Sequence, residues 1–482
     1  MPGKAGKRIR AHRRFGVGLM AITALATAVA AASLPNLFPF KDSSGVLETY
    51  SLTGSFDESG PFFQVLGTNG RSCGTCHVVK NGMGLSAANA ESVYERTNGY
   101  DPLFAKFDGA ACPTALPGQA LNFSLLRKNG LIRVGLALPA SLQFTITVVH
   151  DPYGCALTTD PVSGVQTVSV YRRPLPATNL GFLTAVQFDG RENVVPLNNP
   201  QTFGANLITD LKHQALDATL GHAEASTAPT DAQLTQIVNF EMALNSAQTV
   251  DFGAGSLNSG GATGGSRFLT TVPFFPGVND PLGGNPTGAA FNPSAFTLYS
   301  RWMNSGDPYR RSVARGEEIF NTHALTITNV RGLNDALNVA AIPGTCTTCH
   351  DTPNVGDHSL PVPLEIGTSR TVNYETDSTI QAAVSQLSMP DLPVFQIVCN
   401  QGPYSGQITY TSDPGKATLT GSCADVGRGK GPILRGLAAR APYFHNGAAA
   451  TLSEVVDFYN VRFQMNLTPQ EKLDLVNFLQ TL

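Results

Sequence analysis

The sequence predicts a mainly α-helical protein in which two similar units follow one another, with loop and short β insertions. Two runs of the form Cys-x-x-Cys-His lie far apart, at residues 73–77 and 346–350. A closing helix is predicted in each unit, over residues 231–247 in the first and 468–482 in the second. The last helix begins with Thr-Pro-Gln-Glu, where threonine and glutamate form a capping box and proline suits the first helical position.

The first 32 residues have the pattern of a secretory signal peptide. Six lysines and arginines precede an apolar run over residues 15–32, and Ala-x-Ala cleavage sites occur at 28–30 and 30–32. An uncleaved anchor is the alternative, because the run is at the short end for a transmembrane helix. No other segment is long and apolar enough to cross a bilayer. We therefore expect a periplasmic protein without a stable membrane span after processing.

The mature chain is expected to be acidic. The sequence contains 32 lysines and arginines against 35 aspartates and glutamates, and loss of the leader brings the net charge to about −9. This charge argues against nucleic acid as a partner.

The two Cys-x-x-Cys-His runs predict two covalently bound haem c groups. Two thiols at this spacing reach both vinyl groups of a haem, and the histidine that follows lies beneath the iron. The predicted haem-binding residues are Cys73, Cys76 and His77 in the first run and Cys346, Cys349 and His350 in the second. A redox dithiol or half of a zinc site is the alternative, but each pair is followed at once by histidine and no second pair stands at zinc-finger distance.

Four further cysteines, Cys112, Cys155, Cys399 and Cys423, are expected to form disulfides in an oxidising compartment. Three pairings of four cysteines exist. We favour Cys112 with Cys155 and Cys399 with Cys423, which keeps each bridge within one domain. Four buried thiols are the alternative.

Composition divides the rest of the chain into three parts. These are an N-terminal domain over 43–250, a Gly/Pro-rich connection or long surface loop over 251–305, and a C-terminal domain over 306–482. Helices are predicted over 210–220 and 309–322, and Thr230 with Gln233 makes a capping box for the helix over 231–247. Alternating apolar and polar residues over 141–149 and 167–171 predict a strand pair inserted into the first domain.

Several stretches together resemble known haem proteins. An opening helix with phenylalanine, a haem motif and a closing helix resemble the class I cytochrome c fold, twice in tandem. The stretch over 431–447, with its Pro-Tyr-Phe-His-Asn-Gly, and the stretch over 451–460 resemble the dihaem cytochrome c peroxidase family, which includes the MauG-like enzymes. Phe-Asp-Gly-Arg at 188–191 looks like that family's Trp-Asp-Gly-Arg signature. The resemblance runs from about residue 60 to the C-terminus, with insertions at 100–170, 250–300 and 390–425.

The resemblance implies an oxidoreductase. The first haem would react with peroxide or dioxygen, and the second would relay electrons from a small cytochrome or cupredoxin. A catalytic glutamine and glutamate near the first haem correspond to Gln214 and Glu224, whereas a longer gap after Arg191 than in the family leaves another carboxylate open. His213 or His222 is an alternative sixth ligand, although an ordinary helix histidine is the favoured interpretation for each.

At the second haem the resemblance implies Tyr459 as distal ligand, fourteen residues after His445. Leu452, Val455, Val456 and Tyr459 follow a helical face, so an ordinary core tyrosine is the alternative. Met465 is the rival ligand, and Met389 and His358 are weaker ones.

Other residues near the second haem have two interpretations each. His445 either bonds a haem propionate or is a structural imidazole at a turn. Arg435 and Lys430 are candidate propionate partners or solvated charges.

Two positions depart from the family. Phe188 replaces a tryptophan between the haems, and Trp302 is the only tryptophan in the chain. Arg173 and Arg440 stand where the family places calcium ligands, and two cations there would repel the ion, so we expect no calcium.

The competing functions are a non-catalytic dihaem electron carrier and a dioxygenase resembling the rubber oxygenases. The carrier would need a strong distal ligand at the first haem, where Met83 is the only nearby methionine.

Overall fold

The computed structural model describes residues 1–3, 33–114, 120–194, 206–272, 276–285, 287–353 and 362–482. The predicted signal peptide from residue 4 onward and His358 lie outside this part of the chain. Within it, no helix combines the length and hydropathy needed to cross a membrane.

Twelve α-helices occur in the described part of the chain. They are α1 (Ala87–Thr97), α2 (Lys106–Gly109), α3 (Ser124–Asn129), α4 (Leu207–Gly221), α5 (Asp231–Met242), α6 (Ser266–Leu269), α7 (Pro308–Thr322), α8 (Asn334–Leu337), α9 (Ser378–Val384), α10 (Ala417–Thr420), α11 (Leu452–Arg462) and α12 (Pro469–Gln480). The helices predicted over 210–220, 309–322 and 468–482 are confirmed as α4, α7 and α12. The capping boxes predicted for α5 and α12 form, between Thr230 and Gln233 and between Thr468 and Glu471.

The described residues also form fourteen strands in five small sheets. They are β1 (Leu34–Pro35), β2 (Pro39–Lys41), β3 (Gly45–Ser51), β4 (Ser55–Phe56), β5 (Ile132–Ala137), β6 (Phe144–His150), β7 (Leu157–Thr159), β8 (Gln166–Arg172), β9 (Leu244–Asp251), β10 (Gly255–Ser256), β11 (Leu325–Thr328), β12 (Ala341–Gly344), β13 (Val394–Cys399) and β14 (Ile408–Thr411). The prediction of a mainly α-helical chain is therefore wrong, and the protein is a mixture of helix and strand.

The predicted helix over 231–247 is too long. Helix α5 ends at Met242, and the residues after it form β9, which pairs antiparallel with β3 from Leu244 opposite Ser51 to Asp251 opposite Gly45. Nearly every residue of β9 is buried, so its sequence lacks the alternation that marks a half-exposed strand. Pairing with a strand about 200 residues away decides the conformation, and a local pattern cannot show that pairing.

The inserted segments over 141–149 and 167–171 are strands, but the prediction that they pair is wrong. Strand β6 pairs with β13, which pairs with β14, whereas β8 lies between β5 and β7. The two three-stranded sheets share one hydrophobic cluster that contains Ile146, Val168 and Ile397. Residues from two distant insertions thus form one small β-sandwich, because each sheet buries its apolar face against the other.

Both predicted disulfides are confirmed. Cys112 and Cys155 are bonded with Cα atoms 6.0 Å apart, and Cys399 and Cys423 are bonded with Cα atoms 5.8 Å apart. The second bridge joins the end of β13 to the loop that follows α10, and both of its sulfurs lie in the sandwich cluster.

The core of the second half is built around the crossing of α7 and α12. Phe320 and Phe478 meet there with ring centroids 5.6 Å apart. Leu257, Phe296 and Trp302, from the predicted Gly/Pro-rich connection, are buried in the same cluster. That segment therefore packs into the core.

Replacing Gly316 with alanine is expected to lower the free energy of unfolding by about 2 kcal/mol. An added Cβ would lie 2.1 Å from the carbonyl oxygen of Asp474, so α7 and α12 would have to separate. Chemical denaturation measures the effect. The control is Gly221→Ala at the end of α4, where nothing lies within 4 Å. Equal stability of the two variants would contradict the close crossing.

Candidate functional site

The first Cys-x-x-Cys-His run forms a tight turn at the edge of a cavity. Residues Cys73–Thr75 make one 3-10 turn, and the His77 backbone N–H donates to the Cys73 carbonyl at 3.0 Å. The Ser72 N–H donates to Thr75 Oγ1 at 3.0 Å and fixes the start of the turn. Cys73, Cys76 and His77 all line a cavity of about 170 Å³, called cavity 1 below.

The second run repeats this turn. Residues Cys346–Thr348 form the 3-10 turn, the His350 N–H donates to the Cys346 carbonyl at 2.9 Å, and the Thr345 N–H donates to Thr348 Oγ1 at 3.0 Å. Cys346, Cys349 and His350 line a cavity of about 200 Å³, called cavity 2. A serine or threonine before the first cysteine and a threonine two residues after it explain why both runs fold alike.

Cys73, Cys76 and Cys346 take no part in a disulfide. Burial raises the pKa of Cys73 and of Cys346 to about 12 and that of Cys76 to about 11. A redox-active dithiol has a lowered pKa, whereas burial raises the pKa of these three thiols.

His77 is held in the orientation that an axial ligand requires. Its Nδ1 lies 3.1 Å from the Met83 carbonyl oxygen, so an N–H there donates to the backbone and leaves Nε2 as the ligand atom. Burial lowers the pKa of His77, which favours the neutral, metal-binding form. The Met83 side chain packs in the hydrophobic core and does not line cavity 1. It is therefore not placed as a distal ligand.

One face of α4 forms a wall of cavity 1. Leu211, Gln214, Ala215 and Ala218 recur at helical spacing and all line the cavity. Thr219 lies on the same face, but its hydroxyl donates to the Ala215 carbonyl at 2.8 Å, so the carboxamide of Gln214 is the longer polar side chain on this wall. The structure thus brings Gln214 to the first haem motif.

Glu224, in contrast, lies outside cavity 1. It follows the end of α4 with a left-handed backbone at φ 52°, is exposed, and accepts a hydrogen bond from Asn69 Nδ2 at 3.0 Å. Spacing along the sequence suggested a pair with Gln214, but α4 ends at Gly221, so the chain turns away before Glu224.

Of His213 and His222, the two candidate sixth ligands, only His222 lines cavity 1. Its Nδ1 is 2.5 Å from Asp108 Oδ2, and the other oxygen of Asp108 is bonded by Arg71. His213 lies elsewhere, with Nδ1 2.8 Å from Glu192 Oε2.

Glu241 is a carboxyl group in cavity 1 that the sequence interpretation missed. Its side chain lines the cavity, the residue is 6% exposed, and its buried Oε2 has no hydrogen-bond partner. Burial raises its pKa to about 8, so the carboxyl is mostly protonated at neutral pH. The missed signal is its position on α5, one further turn along the buried face of Leu234, Ile237 and Val238.

In cavity 2, both candidate distal ligands are present. Tyr459 lines the cavity together with Leu452, Val455 and Val456, the face predicted from the sequence, and Met465 lines it too. Tyr459 and Met465 thus share the lining of one cavity with His350.

Phe188, Lys430 and His445 line both cavities and form the shared wall. The rings of Phe188 and His445 are stacked, with centroids 4.1 Å apart and an angle of 9°. The backbone reinforces this contact, because the Lys430 N–H donates to the Phe188 carbonyl at 2.7 Å. Gly429 lies so close that an added Cβ would be 2.0 Å from the Phe188 ring.

A buried ion network supports the shared wall. Arg172 donates to both carboxylate oxygens of Asp413, at 2.7 and 2.9 Å, and to Asp189 at 2.6 Å. Burial alone would lower the pKa of Arg172, but the two carboxylates raise it above its usual range. The guanidinium also lies 5.0 Å from the centre of the Phe188 ring.

His445 and Arg435 each keep a buried polar atom without a hydrogen bond. His445 Nε2 is 3.5 Å from Asp413 Oδ2, and burial lowers the pKa of His445 to about 4, so the ring is neutral. Arg435 donates from Nε to the Pro353 carbonyl at 2.7 Å, but its Nη1 has no partner. Arg435 lines neither cavity, so the structure does not bring this predicted propionate partner to the second haem motif.

Arg173 and Arg440 lie together in the interior and bond to backbone oxygens. Arg173 donates to the carbonyls of Leu85, Asn129 and Arg440 at 2.6 to 2.9 Å. Arg440 donates to the Ile433 carbonyl at 3.1 Å. These carbonyl groups are thus already bonded to cationic side chains.

Comparison with known proteins gives relatives over part of the chain. No protein-family model matches. Cytochrome-c peroxidase IdrP1 of Pseudomonas sp. (strain SCT) is 24% identical over 210 residues, which are 38% of this chain and 51% of that protein. Cytochrome c551 peroxidase of Nitrosomonas europaea is 35% identical over 100 residues, which are 18% of this chain and 30% of that protein. The chain thus spans about half the length, or less, of these relatives.

Over these stretches the chain is similar to cytochrome c peroxidases. A solved MauG-like protein associated with microbial copper homeostasis aligns with 68% of this chain and 79% of its own, at 14% identity and a TM-score of 0.27. That score is too low to support the fold assignment.

Replacing Asp413 with asparagine is expected to lower the free energy of unfolding by about 3 kcal/mol. The change leaves Arg172 with one carboxylate in a fully buried place. Chemical denaturation at neutral pH measures the loss. The control is Glu91→Gln, which breaks the partly exposed pair with Arg127 and should cost under about 1 kcal/mol. A similar decrease in the free energy of unfolding in both variants would contradict the claim that the buried network stabilises the fold more than an exposed ion pair.

Proposed function

We propose that the protein is a periplasmic dihaem c-type cytochrome of the peroxidase type. It reduces peroxide at the first haem with electrons relayed through the second. The observation that carries this proposal is the wall of Phe188, Lys430 and His445 that both cavities share. Two redox groups on the two turns would therefore be near neighbours. The domains over 43–250 and 306–482 are then two cytochrome c-like units, each with one group.

The residues present fit two covalently attached haem c groups. Each turn offers two thiols and one imidazole on the lining of a cavity, and His77 presents Nε2. When bound, the haem supplies the redox-active iron at which peroxide is reduced, and the chain supplies binding, orientation and protons.

Cavity 1 is the proposed place of reaction. Reduction of one hydrogen peroxide to two waters consumes two electrons and two protons, so the site needs a group that holds a proton beside the bound oxygen atoms. Gln214 can donate a hydrogen bond there from its carboxamide. Glu224 is at the surface, so the proton has to come from another group in the cavity.

Cavity 2 is the proposed relay. Tyr459 and His350 would be the residues that hold the iron of this group, because a tyrosine oxygen is a known haem ligand and both side chains line this cavity. Electrons would enter from a small cytochrome or cupredoxin and cross the shared wall. The Phe188 ring is much harder to oxidise than an indole, so the wall acts as a packed bridge without becoming oxidised itself.

A non-catalytic electron carrier is the second candidate. One observation favours it, since His222 lines cavity 1 and could close the first haem as a sixth ligand. The hydrogen bond of His222 to Asp108 would then fix the ring.

Intact mass after acid treatment is expected to show two haems on the wild-type protein. Thioether bonds survive such treatment, whereas non-covalent haem is lost. The double variant Cys73→Ala/Cys76→Ala should retain one haem, and so should Cys346→Ala/Cys349→Ala. A wild-type protein with one haem or none would contradict the proposal.

Replacing Tyr459 with phenylalanine is expected to change the low-spin absorption spectrum of the second haem, because the oxygen ligand is lost. Met465→Leu is the matched control, since it changes the rival side chain in the same cavity. The opposite result, a change with Met465→Leu alone, would assign the sulfur as the ligand.

A further inference from the structure

The carboxyl group of Glu241 lines cavity 1 and has a buried oxygen atom without a hydrogen-bond partner. The residue belongs to the last turn of α5, and the buried oxygen is Oε2. An unpartnered buried carboxylate is costly, so such a group is retained in its neutral, protonated form.

The other charged groups on this lining have partners of their own, and Arg173 donates to three backbone carbonyl groups. Arg71 bonds Asp108, which also bonds His222, and Arg172 and Arg191 both contact Asp189. Burial is the sole cause of the raised pKa of Glu241, and no cation offsets it. Cys73 is the nearby titratable group, and it becomes an uncharged thioether when a haem is attached. Glu241 therefore keeps a proton inside the cavity without being tied into an ion pair.

We propose that Glu241, and not Glu224, is the acid–base group of cavity 1. It acts together with Gln214, which lies on the neighbouring helix α4 and lines the same cavity. This inference rests on the proposed peroxide chemistry. It follows from placement, since Glu224 is exposed and bonded to Asn69 whereas Glu241 faces the space beside the first haem motif.

The proton balance of the step is simple. Glu241 gives its proton to the departing oxygen as the O–O bond breaks, so that oxygen leaves as water and Glu241 becomes a carboxylate. The two electrons come from the external donor protein through the second site. A proton taken up from solvent restores the acid, and a second proton completes the other water. Gln214 holds the peroxide by a hydrogen bond during the step.

The test compares Glu241→Gln with Glu224→Gln. The first substitution keeps the shape and a hydrogen-bond donor but removes the transferable proton, and it replaces a group that is already neutral, so folding should be preserved. With peroxide and a reduced small cytochrome, we expect Glu241→Gln to lower kcat by about 100-fold. Glu224→Gln should stay within about twofold. A large loss with Glu224→Gln and none with Glu241→Gln would overturn the assignment.

Infrared spectroscopy of the resting protein gives a readout that does not depend on turnover. The wild type should show the carbonyl stretch of a protonated carboxylic acid near neutral pH, and this band should fade as the pH rises through about 8. Asp351, whose pKa burial raises to about 7, contributes a second such band. The absorption should therefore decrease in Glu241→Gln and stay unchanged in Glu224→Gln. An unchanged absorption in Glu241→Gln would overturn the proposal. If the absorption decreases in Glu241→Gln but the wild type does not consume peroxide, the proposed function fails while the protonated state of Glu241 stands.

Discussion

The bond between Arg172 and its two carboxylates is the interaction on which the arrangement of the two cavities depends. Arg172 ends strand β8, Asp189 follows Phe188 directly, and Asp413 comes from the loop after β14. One buried guanidinium therefore joins three segments that are distant in sequence. Because the network also borders the Phe188 ring, it fixes the surface against which His445 stacks. A buried charge group of this kind is stable only with all its partners, so it imposes one geometry on the wall.

The inserted β-sandwich takes part in this geometry. Its strand β5 contributes Ile132 and Val134 to the lining of cavity 1, and β8 contributes Arg172. The other sheet leads into the loop that holds Asp413. The insertions thus contribute both to the lining of cavity 1 and to the network behind the shared wall, and one disulfide lies within each of them.

Features that depend on neighbouring residues could be predicted from the sequence. The two turns, the capping boxes and the α11 face that carries Tyr459 are of this kind, because hydrogen bonds over a few residues decide them. Features that depend on partners distant in the sequence could not be predicted from it. The sequence over 244–251 is a strand only because β3 lies beside it, and Glu241 became a site residue only once α5 was placed against cavity 1. The same limit explains why Glu224 was wrongly predicted to lie in the site. Its spacing from Gln214 matches the family, but the chain turns outward after Gly221.

Electron paramagnetic resonance of the ferric protein at low temperature, with and without hydrogen peroxide, tests the central claim most directly. If cavity 1 holds an open catalytic haem and cavity 2 a closed relay, the spectrum should contain one high-spin and one low-spin signal. Addition of peroxide should remove the high-spin signal. Two low-spin signals that do not respond to peroxide, even after partial reduction, would mean that both irons are closed by side chains. That result would contradict the peroxidase account and leave an electron carrier.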